Sequence, residues 1–146
     1  MVNAPWLLVT LAELGVKEIA GPEHHPRILE YLSVCKGGHE SDETSWCSAL
    51  GCWALEQCGI KSPRSAVARH WLRYGIPVEN PFPGCYAVLP RGNSSWMGHL
   101  TQYVGMSAPG WFYGCGGNQK NKVGIDKFQM SKVLGWRMPD PSIATW

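Results

Sequence analysis

The rhythm of apolar positions changes near residue 82. Before it, apolar residues recur at three- and four-residue spacing; after it, short apolar runs alternate with clusters of Gly, Pro, Asn and Ser. The first half therefore reads as helices and the second as strands. Pro5 can open a helix on which Leu7, Leu11 and Leu14 share a face, and Gly15 can stop it. A second helix starts near Pro26 and carries Ile28, Leu29 and Leu32. In a third, Cys47, Leu50, Ala54 and Cys58 recur at helical spacing, with Thr44 or Ser45 as cap and Gly59 as terminator. A fourth is predicted from Pro63 to Tyr74, with Val67, Trp71 and Tyr74 on one stripe.

Beyond Phe82 the predicted strands are Cys85 to Leu89, His99 to Val104, Trp111 to Cys115, Val123 to Ile125 and Leu134 to Arg137. Helices first and strands second point to an α+β fold with the helices on one side of an antiparallel sheet. No repeat, linker or low-complexity tract divides the chain, so residues 1–146 are read as one domain. Folding at this length buries roughly two-thirds of the surface of the unfolded chain, enough for a core without staples.

Composition adds little to this picture and excludes more. Net charge is only +2, and Lys and Arg are scattered without a run, so no nucleic-acid partner is expected. The apolar stretch from Ala4 to Ala12 is too short to span a bilayer, and no positively charged leader precedes it. Stable membrane insertion is not expected, and synthesis in a reducing cytoplasm with mostly free thiols is. The chain has six Cys, at 35, 47, 52, 58, 85 and 115, and their closest spacing is Cys47-x4-Cys52. That lacks the tight pairs of structural zinc sites. Eight Trp are many for a chain this small, so some should line a groove.

Three segments could carry chemistry. Cys47 falls in the first turn of the third helix, where unpaired N–H groups and the helix dipole favour a thiolate. Cys52 and Cys58 lie deeper and gain nothing from it. His99 opens a strand after the turn from Gly92 to Gly98; there His99, Thr101 and Tyr103 point to one face, and Leu100, Gln102 and Val104 to the other. The third segment is Gly116-Gly117-Asn118-Gln119, where an Asn side-chain oxygen could orient a catalytic imidazole. Read alone it is an ordinary Gly-Asn turn.

Taken together, these segments resemble the small phage and prophage cell-wall hydrolases of the NlpC/P60 and CHAP superfamily, which are papain-like. The short single-domain members carry an Asp-Glu-Thr-Pro-Trp-Cys-Ser-Ala motif, which stands here as Asp42-Glu43-Thr44-Ser45-Trp46-Cys47-Ser48-Ala49. Gly98-His99-Leu100 matches a Gly-His-Val pattern, and Gly116 to Gln119 a Gly-Gly-Asn-Gln pattern. The likeness extends to the opening Trp6 to Gly21 and the closing Leu134 to Pro139. Departures are Ser45 for the usual Pro, His25 where an Asn usually precedes Pro26, and Leu50-Gly51-Cys52 for a bulkier Phe-Val run.

The resemblance implies Cys47 as nucleophile, His99 as base and Asn118 as orienting residue, with no metal or cofactor required. Trp46, Trp96, Trp111 and Gln119 are the expected substrate-binding residues. The implied partner is bacterial peptidoglycan, cleaved at an amide bond by an amidase or endopeptidase. The enzyme is expected as a monomer that waits in the host cytoplasm until released to the wall. The alternatives are a toxin-like cysteine protease or deamidase acting on protein, a zinc-binding structural module, and an inactive wall binder.

Overall fold

The computed structural model describes residues 4–19, 24–36 and 46–140. Three α-helices come first: α1 (Pro5–Leu11), α2 (Pro26–Ser33) and α3 (Cys47–Gln57). A 3-10 segment (Ala68–Arg73) follows, then strands β1 (Ile76–Pro77), β2 (Tyr86–Pro90), β3 (Gly98–Ala108), β4 (Trp111–Gln119), β5 (Lys122–Gln129) and β6 (Gly135–Met138). They form one antiparallel sheet in the order β1-β6-β2-β3-β4-β5. The α+β expectation holds. Among the described residues no helix is long and apolar enough to cross a membrane.

The central element is α3. Every residue from Cys47 to Leu55 is buried, so this helix has no solvent face and an apolar stripe understates it. It packs against α1 and α2 on one side and against β3 and β4 on the other. Gly51 makes that approach possible: a Cβ there would stand 2.7 Å from Leu100 Cδ2 and 3.1 Å from the Trp71 ring. The small residue that departs from the family pattern is thus matched by large ones. Trp71 and Tyr86 stack at 4.4 Å beneath it. Burying side chains of this size stabilises the fold by roughly 1.5–3 kcal/mol each.

Two helices differ from expectation. The first ends at Leu11, and Leu14 is exposed; the buried face is Trp6, Leu7, Thr10 and Glu13 instead. Glu13 is held inside because it accepts from Tyr31 Oη at 2.7 Å and pairs with Arg27 at 2.8 Å. The fourth helix shrinks to the 3-10 segment. Val67 is extended, and its N–H is bonded by Ser65 Oγ rather than by a preceding carbonyl, a local competition that delays the helix. The expected cap at Thr44 or Ser45 lies outside the described residues, and Trp46 occupies the N-cap position without a side-chain bond to the helix N–H groups. His25 does the work an Asn would do at α2, its Nδ1 accepting from the Arg27 N–H at 3.1 Å.

The strands are longer than their apolar runs suggest. β4 continues through Gly116 and Gly117 to Gln119 and returns into β5 by the two-residue turn Lys120-Asn121. Both turn residues have positive φ, 55° and 62°. That matches the two-residue hairpin turn whose twist suits the sheet.

Candidate active site

Trp46 sets the start of α3 and therefore the position of Cys47. Its ring is fully buried, stacks on Tyr31 with centroids 6.0 Å apart, and donates its indole N–H to Glu18 Oε1 at 2.7 Å. The backbone of Gly117 lies against the other part of the ring, where a Cβ would come within 2.6 Å. Trp46 is a fully buried core residue that anchors Cys47, not a groove wall. The expectation for it is corrected on the ground that its one polar atom is already satisfied by Glu18.

His99 enters from the sheet. It follows Gly98 at the mouth of β3 and pairs with Leu89 of β2. Arg69 pins the preceding turn by donating from Nε to the Met97 carbonyl at 2.6 Å and from an Nη to the Ser94 carbonyl at 2.8 Å. The Cys47 thiol hydrogen-bonds the half-buried His99 ring. Burial works against the charged ring, as does Arg91 nearby. The negative charge of Cys47 and the hydrogen bonds from Cys47 and Gln119 outweigh them, so the imidazole pKa stands above its ordinary 6.5.

The ring's other partner is Gln119. Its Oε1 lies 3.0 Å from His99 Nε2 and accepts from Thr101 Oγ1 at 2.7 Å. Its amide nitrogen donates to the carbonyls of Gly114 and Gly124, at 3.1 and 2.9 Å. Both amide protons are therefore committed to backbone acceptors, and the oxygen must face the ring. An acceptor at Nε2 requires the proton to sit there, which leaves Nδ1 as the basic nitrogen for the thiol. The glycines explain how a full amide fits: a Cβ on Gly116 would come within 2.8 Å of Gln119 Oε1, and one on Gly114 within 2.5 Å of Thr101 Oγ1.

Asn118, expected at the ring, has φ +58° and sits in a β4 irregularity where the register shifts between Gly116 and Gln119. Asn tolerates this left-handed backbone better than most residues. The irregularity presents Gln119 to His99 and leaves Asn118 lining an open depression beside it. The orienting contact is made by Gln119, which is 4% exposed and has no face left for substrate. Thr101, which strand alternation placed on the His99 face, supports Gln119, while Glu18 and Arg69 are supporting residues whose contacts no sequence signal marked.

Two depressions flank His99. One, about 550 Å³, includes Arg91, His99, Asn118, Asp126 and Phe128 in its walls. The other, about 320 Å³, includes Leu89, His99, Trp111, Phe128 and Lys132. Phe128 stacks on the His99 ring at 5.7 Å. Trp111 is 39% exposed at the rim, as a groove residue would be. Trp96 is exposed in the turn that Arg69 pins and lines neither depression. Among the described residues no three His, Cys, Asp or Glu side chains group where they could hold a metal ion. Burial pushes the thiols of Cys58 and Cys85 up, and that of Cys115 up to about 12, so these stay protonated at neutral pH.

No family model matches the sequence, and no curated protein is similar to it. Solved structures do share the fold. NlpC1 from Trichomonas vaginalis superposes with a TM-score of 0.55 over 90% of this chain and 42% of its own, at 20% identity. The wild-type endolysin LysIME-EF1 superposes with a TM-score of 0.59 over 94% of this chain and 64% of its own, at 16% identity. The chain thus spans less than two-thirds of either protein. Three helices packed on one antiparallel sheet, with Cys47 starting the buried helix and His99 near the start of the facing strand, are the fold of this chain, which it shares with NlpC1 and the endolysin.

Proposed function

We propose that the protein is a peptidoglycan hydrolase that cleaves an amide bond of the stem peptide or cross-link with Cys47 as nucleophile. The observation that carries the reading is the relay from Cys47 to His99 to Gln119, which supplies a thiol, a base of defined tautomer and a rigid orienting group. The fold shared with NlpC1 and the endolysin supports the choice of substrate.

In this reading Nδ1 of His99 takes the Cys47 proton, and the thiolate attacks the amide carbonyl. The imidazolium then protonates the leaving amine as the C–N bond breaks, leaving a thioester on Cys47. Water, deprotonated by the same ring, attacks the thioester; the acid departs and the thiol is restored. The N–H of Cys47 lies at the start of α3, where the helix dipole favours negative charge, and can meet the oxyanion.

Mass spectrometry of purified peptidoglycan digested in parallel with wild type and Cys47→Ala tests this. New fragments from wild type alone are expected, and their masses separate amidase from endopeptidase cleavage. Folded wild type that releases none would shift the reading to a protease or deamidase acting on protein.

A further inference from the structure

Residues 15–18 run antiparallel along the outer edge of β5. Gly15 donates its N–H to the Val123 carbonyl at 3.0 Å, Val123 to the Val16 carbonyl at 2.7 Å, and Glu18 to the Asn121 carbonyl at 2.9 Å. Asn121 belongs to the hairpin turn that follows Gln119, and Gln119 is paired with Lys122 across that turn. The backbone of Glu18 is therefore fixed to the hairpin that carries the orienting amide. Its side chain is fixed to the nucleophile's helix: Oε1 accepts from Trp46 Nε1 at 2.7 Å, and Trp46 immediately precedes Cys47. These contacts close a circuit, from Cys47 to His99 and Gln119, through the hairpin to Glu18, and by Trp46 back to Cys47.

We infer that Glu18 is a positioning residue, which joins the Gln119 hairpin to the start of α3 and so sets how Cys47 meets His99. The inference rests on the hydrolase reading above and adds to it a group that acts through Trp46 rather than on substrate. Tyr31 on one side and the Gly117 backbone on another confine the Trp46 ring to a slot. Packing is non-directional, so the ring's place within that slot is fixed by its directional bond to Glu18. Without the acceptor, a fully buried indole N–H either stays unpaired at a cost or moves to find another partner. Movement of Trp46 carries the first turn of α3, and Cys47 with it. A displacement of about 1 Å at a reacting group is enough to slow turnover by up to roughly 10²-fold. The role needs an oxygen at that reach and not its charge, which separates it from electrostatic tuning of the thiol and imidazole.

The test compares Glu18→Ala with Glu18→Gln, which keeps an acceptor oxygen. Two quantities are read well below the unfolding temperature. One is kcat and KM on purified peptidoglycan; the other is the rate at which iodoacetamide alkylates Cys47, followed by mass spectrometry of the peptide that carries it. Glu18→Ala should lower kcat and Cys47 alkylation by roughly tenfold each with KM little changed, and Glu18→Gln should restore both to within a few-fold of wild type. A residue that merely stabilises the fold would lower Tm and leave both rates of the folded protein as they were. That result, or a Glu18→Gln variant as impaired as Glu18→Ala, would overturn the inference. If Glu18→Ala does not fold, Glu18→Met keeps the side-chain volume without either oxygen and is judged by the same outcomes. Alkylation needs no substrate. Wild type that alkylates readily at Cys47 yet releases no fragments would remove the hydrolase reading, while the inference stands or falls on the alkylation rates.

Discussion

α3 carries two cysteines five residues apart, Cys47 and Cys52, and both are almost wholly withdrawn from solvent, at 2% and 0% exposed. Exposure therefore does not distinguish them; what each thiol meets does. Cys47 meets an imidazole whose tautomer is set by Gln119, so its proton has a base to go to. Cys52 lies a turn and a half deeper, 3.7 Å from the Ser65 carbonyl and against the thiol of Cys35. Burial opposes its charged form and hydrogen bonds from Cys35, Ser62 and the Ser65 and Arg64 backbone outweigh that cost, yet no imidazole is among these groups. The contrast teaches that two equally buried thiols on one helix differ by their neighbours: among the described residues, the strand that brings an imidazole meets the first turn, at Cys47.

The largest expected effect separates the two directly. Cys47→Ala should lower turnover by roughly 10⁴-fold or more while leaving thermal unfolding near that of wild type. Cys52→Ala should retain activity within a few-fold and instead cost about 1–2 kcal/mol of stability, read by denaturant unfolding, because it leaves a void in the buried helix. Reversal of this pattern would mean that the wrong thiol has been assigned.

A smaller effect separates Gln119 from Asn118. Losing the orienting contact in Gln119→Ala should reduce kcat by roughly 10- to 100-fold, since the ring is no longer held with its proton on Nε2. Asn118→Gly keeps the left-handed backbone and should change kcat by a few-fold at most. If the glycine variant were the more damaged, the ring's partner during turnover would differ from the one in the resting structure.

The smallest effect is a titration. With Cys47 present the ring's folded pKa lies above 6.5, so the charged imidazole contributes stability below the unfolded value that is lost as pH rises through the folded pKa. In Cys47→Ala the lowering contributions of burial and Arg91 face only the Gln119 hydrogen bond. The His99 resonance followed by NMR should then titrate at lower pH than in wild type. An unchanged titration would show that Cys47 is not what raises it.

Much of this was legible in the chain. The switch from helical to alternating spacing foretold helices before strands, and the position of Cys47 at a helix start and of His99 at a strand mouth could be read from their flanking residues. The lengths of elements were less legible. Leu14 continues an apolar stripe yet lies exposed, because Glu13, satisfied by Tyr31 and Arg27, takes the buried position beside it. Val67 belongs to a predicted stripe yet is extended, because Ser65 takes its N–H.

What the sequence determined by itself is local: which residues can cap, break or line an element, and which side chains bear a thiol, an imidazole or an amide. Their meeting was decided by tertiary structure. Trp46 reads as a groove residue until Glu18, 28 positions earlier, is found on its indole nitrogen. Neighbours along a strand point to opposite faces, so the choice between Asn118 and Gln119 rests on the register of β4 against its partners. A left-handed Asn118 and glycines at 114 and 116, which leave room for an amide beside Thr101, turn Gln119 toward His99.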